Sequence, residues 1–398
     1  MITIRHPKVS NCQNKSRLNA EIDVDGVTKE VWFEVGAEYA PYLCYERSDA
    51  FLIALLYWAM LNGHDIVCEA PVGEELLYQI TADLIPALVT HSSVLYSSKI
   101  TAPVDVDSLP NAGAVGTGIS CGVDSFHVLA KQASPNGTKN LQLTHLAFNN
   151  VGSHGTGAKG QAAYAWHKSR AEAFCERHGF KLVLSDSNIA DVFTQSFLVT
   201  HIYSGCFAIY ALQKLWRTYF YASSGYDLND FSLVNSENFG AGRYELLSLS
   251  TFSTHALKIY CEGVALTRLD KIKVVAEYEP AHDFLSVCGQ HPNCGKCRKC
   301  KRTLLELYAI DRLDNFRESF DIDYFNNHKD WYMIRFLSKH WQRDPYYVRI
   351  YPLLKNRITF KVRVLAFLRC GIHAMLKNIK NKRLERAKKS CGALVAKS

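Results

Sequence analysis

Residues 114–129, A-V-G-T-G-I-S-C-G-V-D-S-F-H-V-L, constrain the fold of this chain more than any other stretch. A short apolar run (Ala114, Val115, Ile119) leads into a glycine-bearing turn. Val123, Phe126, Val128 and Leu129 then follow on a helical period, which predicts a buried strand, a tight turn and a helix. A helix that starts this way presents unpaired N–H groups and a positive dipole end, which suits a phosphate. Gly122 lets the backbone approach an anion closely, and Ser120 and Ser125 add hydroxyl donors. Two commoner phosphate loops fail on spacing. Gly116 and Gly118 are followed by Cys121, where the dinucleotide fingerprint needs its third glycine, and no lysine occurs before Lys131 to complete a Walker A loop.

Ser120-Cys121-Gly122-Val123-Asp124-Ser125 resembles the S-G-G-x-D-S loop of the PP-loop ATP pyrophosphatases, with Cys121 in place of the first glycine. That resemblance implies an adenine-nucleotide alpha-hydrolase-like parallel sheet that splits ATP between its α- and β-phosphates and holds pyrophosphate in this loop.

The surrounding pattern is that of an α/β protein. Residues 143–148, 181–184, 231–234 and 257–260 read as strands, and 162–178 and 204–221 as helices, the former closed by Gly179. Such alternation predicts a parallel sheet covered on both faces, with ligands at the carboxyl ends of its strands. Residues 1–105 read as a separate N-terminal α+β domain. It has a hairpin 18–35 turned at Asp25-Gly26, a helix from Ser48-Asp49 to Asn62-Gly63, and a second helix ending near Leu84 because Pro86 should stop or kink it. A Pro-containing linker, 101–113, leads into a nucleotide domain spanning 106–287. The glycine-rich loop 149–160 falls at the ligand edge, with His154 and Lys159 as candidate phosphate contacts. Residues 235–243 fall there too, where a second substrate would be read.

Cys288-x5-Cys294-x2-Cys297-x2-Cys300 defines a metal-binding segment, 288–310. Four thiolates at this spacing satisfy a tetrahedral, closed and therefore structural Zn2+, with Gly295 allowing the tight turn between ligands. Its cationic neighbours offset the charge of such a centre, and His291 is a spare ligand. An iron–sulfur cluster, which also takes four cysteines, is the rival.

The order of these features is similar to that of the 7-cyano-7-deazaguanine synthase family over roughly 113–305. It runs from the loop through F-N-N-V-G (148–152) and L-T-R-L-D-K-I-K (266–273) to S-V-C followed by C-x-x-C-x-x-C. The resemblance implies adenylation of a carboxylate by ATP and attack by ammonia. Ser120, Cys121, Gly122, Val123, Asp124, Ser125, Phe148 and Asn149 would bind nucleotide with Mg2+, and Asp124 and Lys271 would carry the chemistry. Asn149 stands where the family has an acid, and the family's following glutamine is missing. The ATP chemistry and zinc site therefore carry over, and the deazapurine substrate does not.

Residues 311–398 read as a helical appendage with a basic tail. From 355 onward 13 Lys and Arg face one acid, Glu385; this +12 exceeds the whole chain's +8, so the rest is acidic by four charges. Leu365, Leu368, Ile372, Met375 and Ile379 form one apolar stripe on that basic helix, suited to an anionic membrane, RNA, a partner or its own domain. No apolar run is long enough to span a bilayer and no signal peptide opens the chain. With thirteen cysteines, odd in number and partly clustered, this places the expected location in the cytoplasm. The expected activity is an AMP- and pyrophosphate-forming ligase acting on a small-molecule, protein or peptide carboxylate, with oligomerisation open. The alternatives are a tRNA-modifying enzyme of the same superfamily, for which Cys121, Cys206 and Cys261 are candidate sulfur carriers, and a non-catalytic ATP-binding component.

Overall fold

Alternation of buried Leu18, Ala20 and Ile22 with polar neighbours commits the first long hairpin, and Asp25-Gly26, both at positive φ (51° and 88°), closes it as a two-residue turn. A computed structural model describes residues 1–132, 138–194, 196–223, 240–290 and 292–371. The chain forms two compact units, Met1–Gly289 and Gln290–Ser398.

In the first unit β1 (Ile2–Ile4), β2 (Lys8–Cys12), β3 (Lys15–Val24) and β4 (Val27–Gly36) precede α1 (Asp49–Asn62), which ends on Gly63 at φ 68°. Next come β5 (Ile66–Cys68), β6 (Val72–Gly73), α2 (Glu74–Gln79), a π-type turn (Ile80–Leu84), α3 (Ile85–His91), β7 (Ile100–Thr101) and β8 (Val104–Asp105). The expected stop at Pro86 is a transition instead. The helical path runs on through the π-type turn Ile80–Leu84, and Pro86, which has no N–H to donate back into that turn, sits in the first turn of α3 directly after it.

The parallel segment follows as β9 (Ala114–Gly118), α4 (Val123–Gln132), β10 (His145–Asn150), α5 (Gly157–His178) and β11 (Lys181–Ser187). It continues through α6 (Ile189–Val192), α7 (Phe197–Ala211), β12 (Trp216–Ala222), α8 (Glu245–Thr251), β13 (Lys258–Glu262) and α9 (Arg268–Ala276). Residues 204–221 are therefore not one helix. α7 ends at Ala211, and the aromatic, β-favouring run W-R-T-Y-F-Y pairs with β9 and β13 as a central strand. The expected strand 231–234, residues 235–239 of the substrate-reading loop, His291 and the tail beyond 371 lie outside the described residues.

Among the described residues one eleven-stranded sheet runs β13-β12-β9-β10-β11-β4-β3-β1-β5-β7, with β2 on β3. From β13 to β11 the strands are parallel; β4 joins β11 antiparallel, pairing Val35 with Ser185 and Phe33 with Ser187. The strands of residues 1–105 extend the same sheet, and α1 shares the core with α7 through Phe51 on Phe207 (5.5 Å) and Tyr57 on Tyr203 (5.4 Å). The linker 101–113 runs inside one unit.

Gly116 in β9 lies against the Trp216 ring, where a Cβ would approach ring carbon within 2.5 Å. Gly116→Ala is expected to lower unfolding free energy by about 1–3 kcal/mol, read from urea denaturation, because neither strand can yield in the sheet centre.

In the second unit α10 (Arg298–Ala309), α11 (Ile322–Asn327), α12 (Lys329–Trp341) and α13 (Pro345–Leu354) are followed by a helix over 360–371. Asn293 ties to Ser319 through both its backbone N–H (2.8 Å) and its side-chain amide (2.9 Å).

Candidate functional site

The sheet order places β9 between β12 and β10, so the chain leaves β9 toward β10 and later returns to add β12 on the other side. That reversal is the topological switch point where ligands bind in such sheets. The Ser120–Ser125 turn sits there, between the end of β9 and the start of α4. Ser120 Oγ lies 3.2 Å from Ser125 Oγ and accepts from the Gly122 N–H (3.3 Å), while Ser125 Oγ donates to the Gly122 carbonyl (3.1 Å). Ser120 is exposed and Ser125 buried. The first N–H groups of α4 have no acceptor within the helix, so the turn offers donors to an anion.

Cys121, where the resemblance expects glycine, has φ 55°, the left-handed region that glycine adopts freely. Its side chain is 2% exposed, and burial pushes the thiol up to about 12. The Cys121 carbonyl accepts from the Ser286 N–H (2.7 Å), which braces the turn from outside the sheet.

Lys271 reaches the turn from α9. A Thr267 N-cap bonded to the Asp270 N–H (3.3 Å) starts that helix and puts Lys271 in its first turn, facing inward. The Lys271 side chain is 0% exposed; Nζ donates to Asp124 Oδ1 (3.0 Å) and to the Ser223 carbonyl at the end of β12 (3.2 Å). Asp124 remains 33% exposed, leaving part of its carboxylate toward solvent. Gly263, at φ 81° just past β13, is the close-approach residue of the site: a Cβ there would lie 3.0 Å from both His127 and Lys271 Cε. His127 is buried beside the ammonium, and burial first, then Lys271, lowers its pKa to about 4; it is a neutral ring.

Phe148 and Asn149 lie at the carboxyl end of β10. Phe148 is buried and stacked on Tyr164 (5.6 Å), and Asn149 Oδ1 accepts from Ser185 Oγ (2.7 Å). The loop beyond is shorter than 149–160, because β10 runs to Asn150 and α5 begins at Gly157. His154 packs against Phe148, Tyr164 and His167, and burial lowers its pKa to about 4, so it is an aromatic packing residue at neutral pH. Lys159 stands exposed on α5.

Cys288, Cys294, Cys297 and Cys300 bring their sulfurs within 4.8 Å of one another, and this group is able to bind a zinc ion. Cys300 Sγ lies 3.4 Å from Cys297 Sγ and 3.8 Å from Cys294 Sγ. Cys297 caps α10, its sulfur accepting the Cys300 N–H (3.4 Å), and Gly295 turns the chain at φ 66° with its carbonyl held by Tyr332 Oη (3.0 Å). Burial raises the Cys294 thiol, but N–H donors from Cys297 and Lys296 outweigh it and bring it down to about 7, toward the thiolate a metal requires.

No family model, curated protein or solved structure matches this chain. What the site can do therefore rests on its own geometry.

Three site residues escape a reading of the sequence. Gly263 carries a signal only in hindsight, as the glycine directly after a strand end. His127 looks like any helix-core residue. Arg170, whose charge acts on the Cys121 thiol and whose Nη2 donates to the Phe284 carbonyl (2.9 Å) while its Nε is buried without a partner among the described residues, is one cation among many along α5.

Cys121→Gly relieves a left-handed non-glycine conformation worth about 1–2 kcal/mol. It also gives up a small buried side chain and adds chain entropy of comparable size. Stability is expected to stay within about 1 kcal/mol of wild type in urea denaturation.

Proposed function

We propose that this chain is an ATP-dependent ligase that adenylates a carboxylate, or a similar oxygen, of its acceptor, releases pyrophosphate, and presents the adenylate to ammonia or an amine. The observation that carries this reading is the Asp124–Lys271 pair. Two residues far apart in sequence meet at 3.0 Å beside the Ser120–Ser125 turn, at the carboxyl ends of the parallel strands. The parallel order β11-β10-β9-β12-β13 corresponds to strands 3-2-1-4-5 of a doubly wound nucleotide-binding sheet, which supports the adenine-nucleotide alpha-hydrolase-like reading.

In this account Ser120, Ser125 and the first N–H groups of α4 hold the β- and γ-phosphates, and Gly122 lets them come close. Mg2+ would neutralise phosphate oxygens with the exposed part of Asp124 as a protein ligand. Lys271, held by Asp124 and the Ser223 carbonyl, offsets charge as pyrophosphate departs. Catalysis is positioning and electrostatic stabilisation, since the acceptor oxygen itself is the nucleophile.

For the cysteine cluster, zinc is favoured over an iron–sulfur cluster by spacing. Tetrahedral thiolates at about 2.3 Å from one ion stand about 3.8 Å apart, close to the 3.4 and 3.8 Å separations here. Thiolates on a four-iron cluster bind different irons and spread wider.

Sulfur transfer to tRNA is disfavoured. Burial raises the thiols of Cys121, Cys206 and Cys261 well above neutral pH, the opposite of what a persulfide carrier needs.

The test is exchange of labelled pyrophosphate into ATP across a panel of carboxylic acids, with and without ammonia. Acid-dependent exchange supports the ligase. ATP binding with neither exchange nor AMP formation for any acid favours the non-catalytic component.

A further inference from the structure

We infer that the unit Gln290–Ser398 carries a second ligand site, a pocket for a phosphomonoester, distinct from the Ser120–Ser125 turn. A cavity of about 210 Å³ opens among α10, α12, α13 and the helix 360–371. Five cations line it: Arg298 and Lys301 from α10, Arg335 and Lys339 from α12, and Arg369 from the last helix. No Asp or Glu is among the lining residues. Asp344 lies 3.5 Å from Arg298 and offsets one of the five. The floor is apolar and aromatic, from Leu305, Tyr332, Phe336 and Tyr347.

Like charges converging on a part-buried cavity repel one another unless an anion joins them. Arg335 shows the strain: burial, then the neighbouring Arg369, lowers its pKa, and its Nε is buried without a hydrogen-bond partner among the described residues. Its guanidinium lies over the Trp331 ring (4.5 Å), which fixes the plane of its donors. The charge of a Cys₄–zinc centre accounts for cations on α10, which follow the cysteines directly, but Arg335, Lys339 and Arg369 stand on other helices.

Several uncompensated positive charges select a multivalent anion, and guanidinium forks match phosphate geometry. The aromatic floor takes an apolar body attached to it. Two sources supply that chemistry. One is a soluble phosphate ester. The other is a lipid phosphomonoester, since the helix carrying Arg369 exposes Phe360 (81%) and Phe367 (71%).

The full-length protein is titrated calorimetrically with phenyl phosphate. In parallel it is mixed with phosphatidylcholine vesicles with or without phosphatidic acid. Saturable binding to phenyl phosphate or to the phosphatidic acid vesicles is expected, and which of them binds identifies the source. Arg335→Gln and Lys339→Gln should each weaken it by about tenfold or more, and Ser120→Ala should leave it unchanged. If Arg335→Gln fails to fold, the exposed Lys339→Gln decides. Absence of binding to both probes overturns the inference. So does wild-type affinity in the folded variants, or loss of binding in Ser120→Ala, which would assign the phosphate to the turn after β9.

Discussion

Asp124→Ala is expected to cut pyrophosphate–ATP exchange by roughly 10²–10³-fold, the scale of removing one preorganised electrostatic contact from a reacting centre. It is also expected to cost stability, which a residue on an exposed turn would not suggest. Removing the carboxylate leaves the Lys271 ammonium fully buried with, among the described residues, only the Ser223 carbonyl as partner. Breaking a buried pair costs about 3–5 kcal/mol, and Asp124 keeps a third of its surface in water. About 2 kcal/mol is therefore the expected loss in urea denaturation. Lys271→Met separates the two effects. It keeps the apolar stem and leaves the unpaired charge on the side that water reaches, so activity should fall as far while stability falls less. Equal stability losses in the two variants would mean that the pair is not organised around the buried ammonium.

Cys297→Ser is expected to have the largest effect on folding. Structural zinc in small sites contributes apparent binding energies of about 10–16 kcal/mol at neutral pH, and that energy is folding energy. The cysteines sit where other elements depend on them: Cys297 caps α10, and the Gly295 turn anchors Tyr332 of α12. Loss of the ion should therefore expose the 290–398 unit to proteolysis before it alters nucleotide binding. The wild-type protein should carry about one zinc and no visible absorption. A brown protein with iron and sulfide would replace zinc by a cluster.

Features written in local chemistry could be read from the sequence. Asp25-Gly26 needs only two residues to specify its turn, and the cysteine spacing announces a metal group whatever the surrounding fold. The strand–turn–helix at Ser120 reads equally well, because an apolar run, a glycine and a helical period lie within one stretch. Features made by distant partners could not. The pairing of β4 with β11 joins residues some 150 positions apart and is fixed by contacts such as the Trp32 N–H to Asn188 Oδ1 (2.8 Å), which leave no periodic trace. Sequence pattern alone therefore gives no sign that strands within 1–105 share a sheet with those after 114. The misread of 204–221 has another cause. A continuous apolar and aromatic run satisfies helix and strand alike, and only the turn between Ala211 and Trp216 divides it. His154, a candidate phosphate contact in the glycine-rich loop, packs on Phe148, Tyr164 and His167, contacts with no sequence signal.

The proposed ligase chemistry requires the turn after β9 to hold the phosphates of ATP. Its most direct test is calorimetric binding of α,β-methylene-ATP with Mg2+, which needs no knowledge of the acceptor. One site per chain is expected in the wild type. The double variant Ser120→Ala, Ser125→Ala loses two hydrogen bonds to charged phosphate and should bind about a hundredfold or more weaker, with its unfolding midpoint little changed. Wild-type affinity in the folded double variant, or no binding by the wild type, would contradict the account.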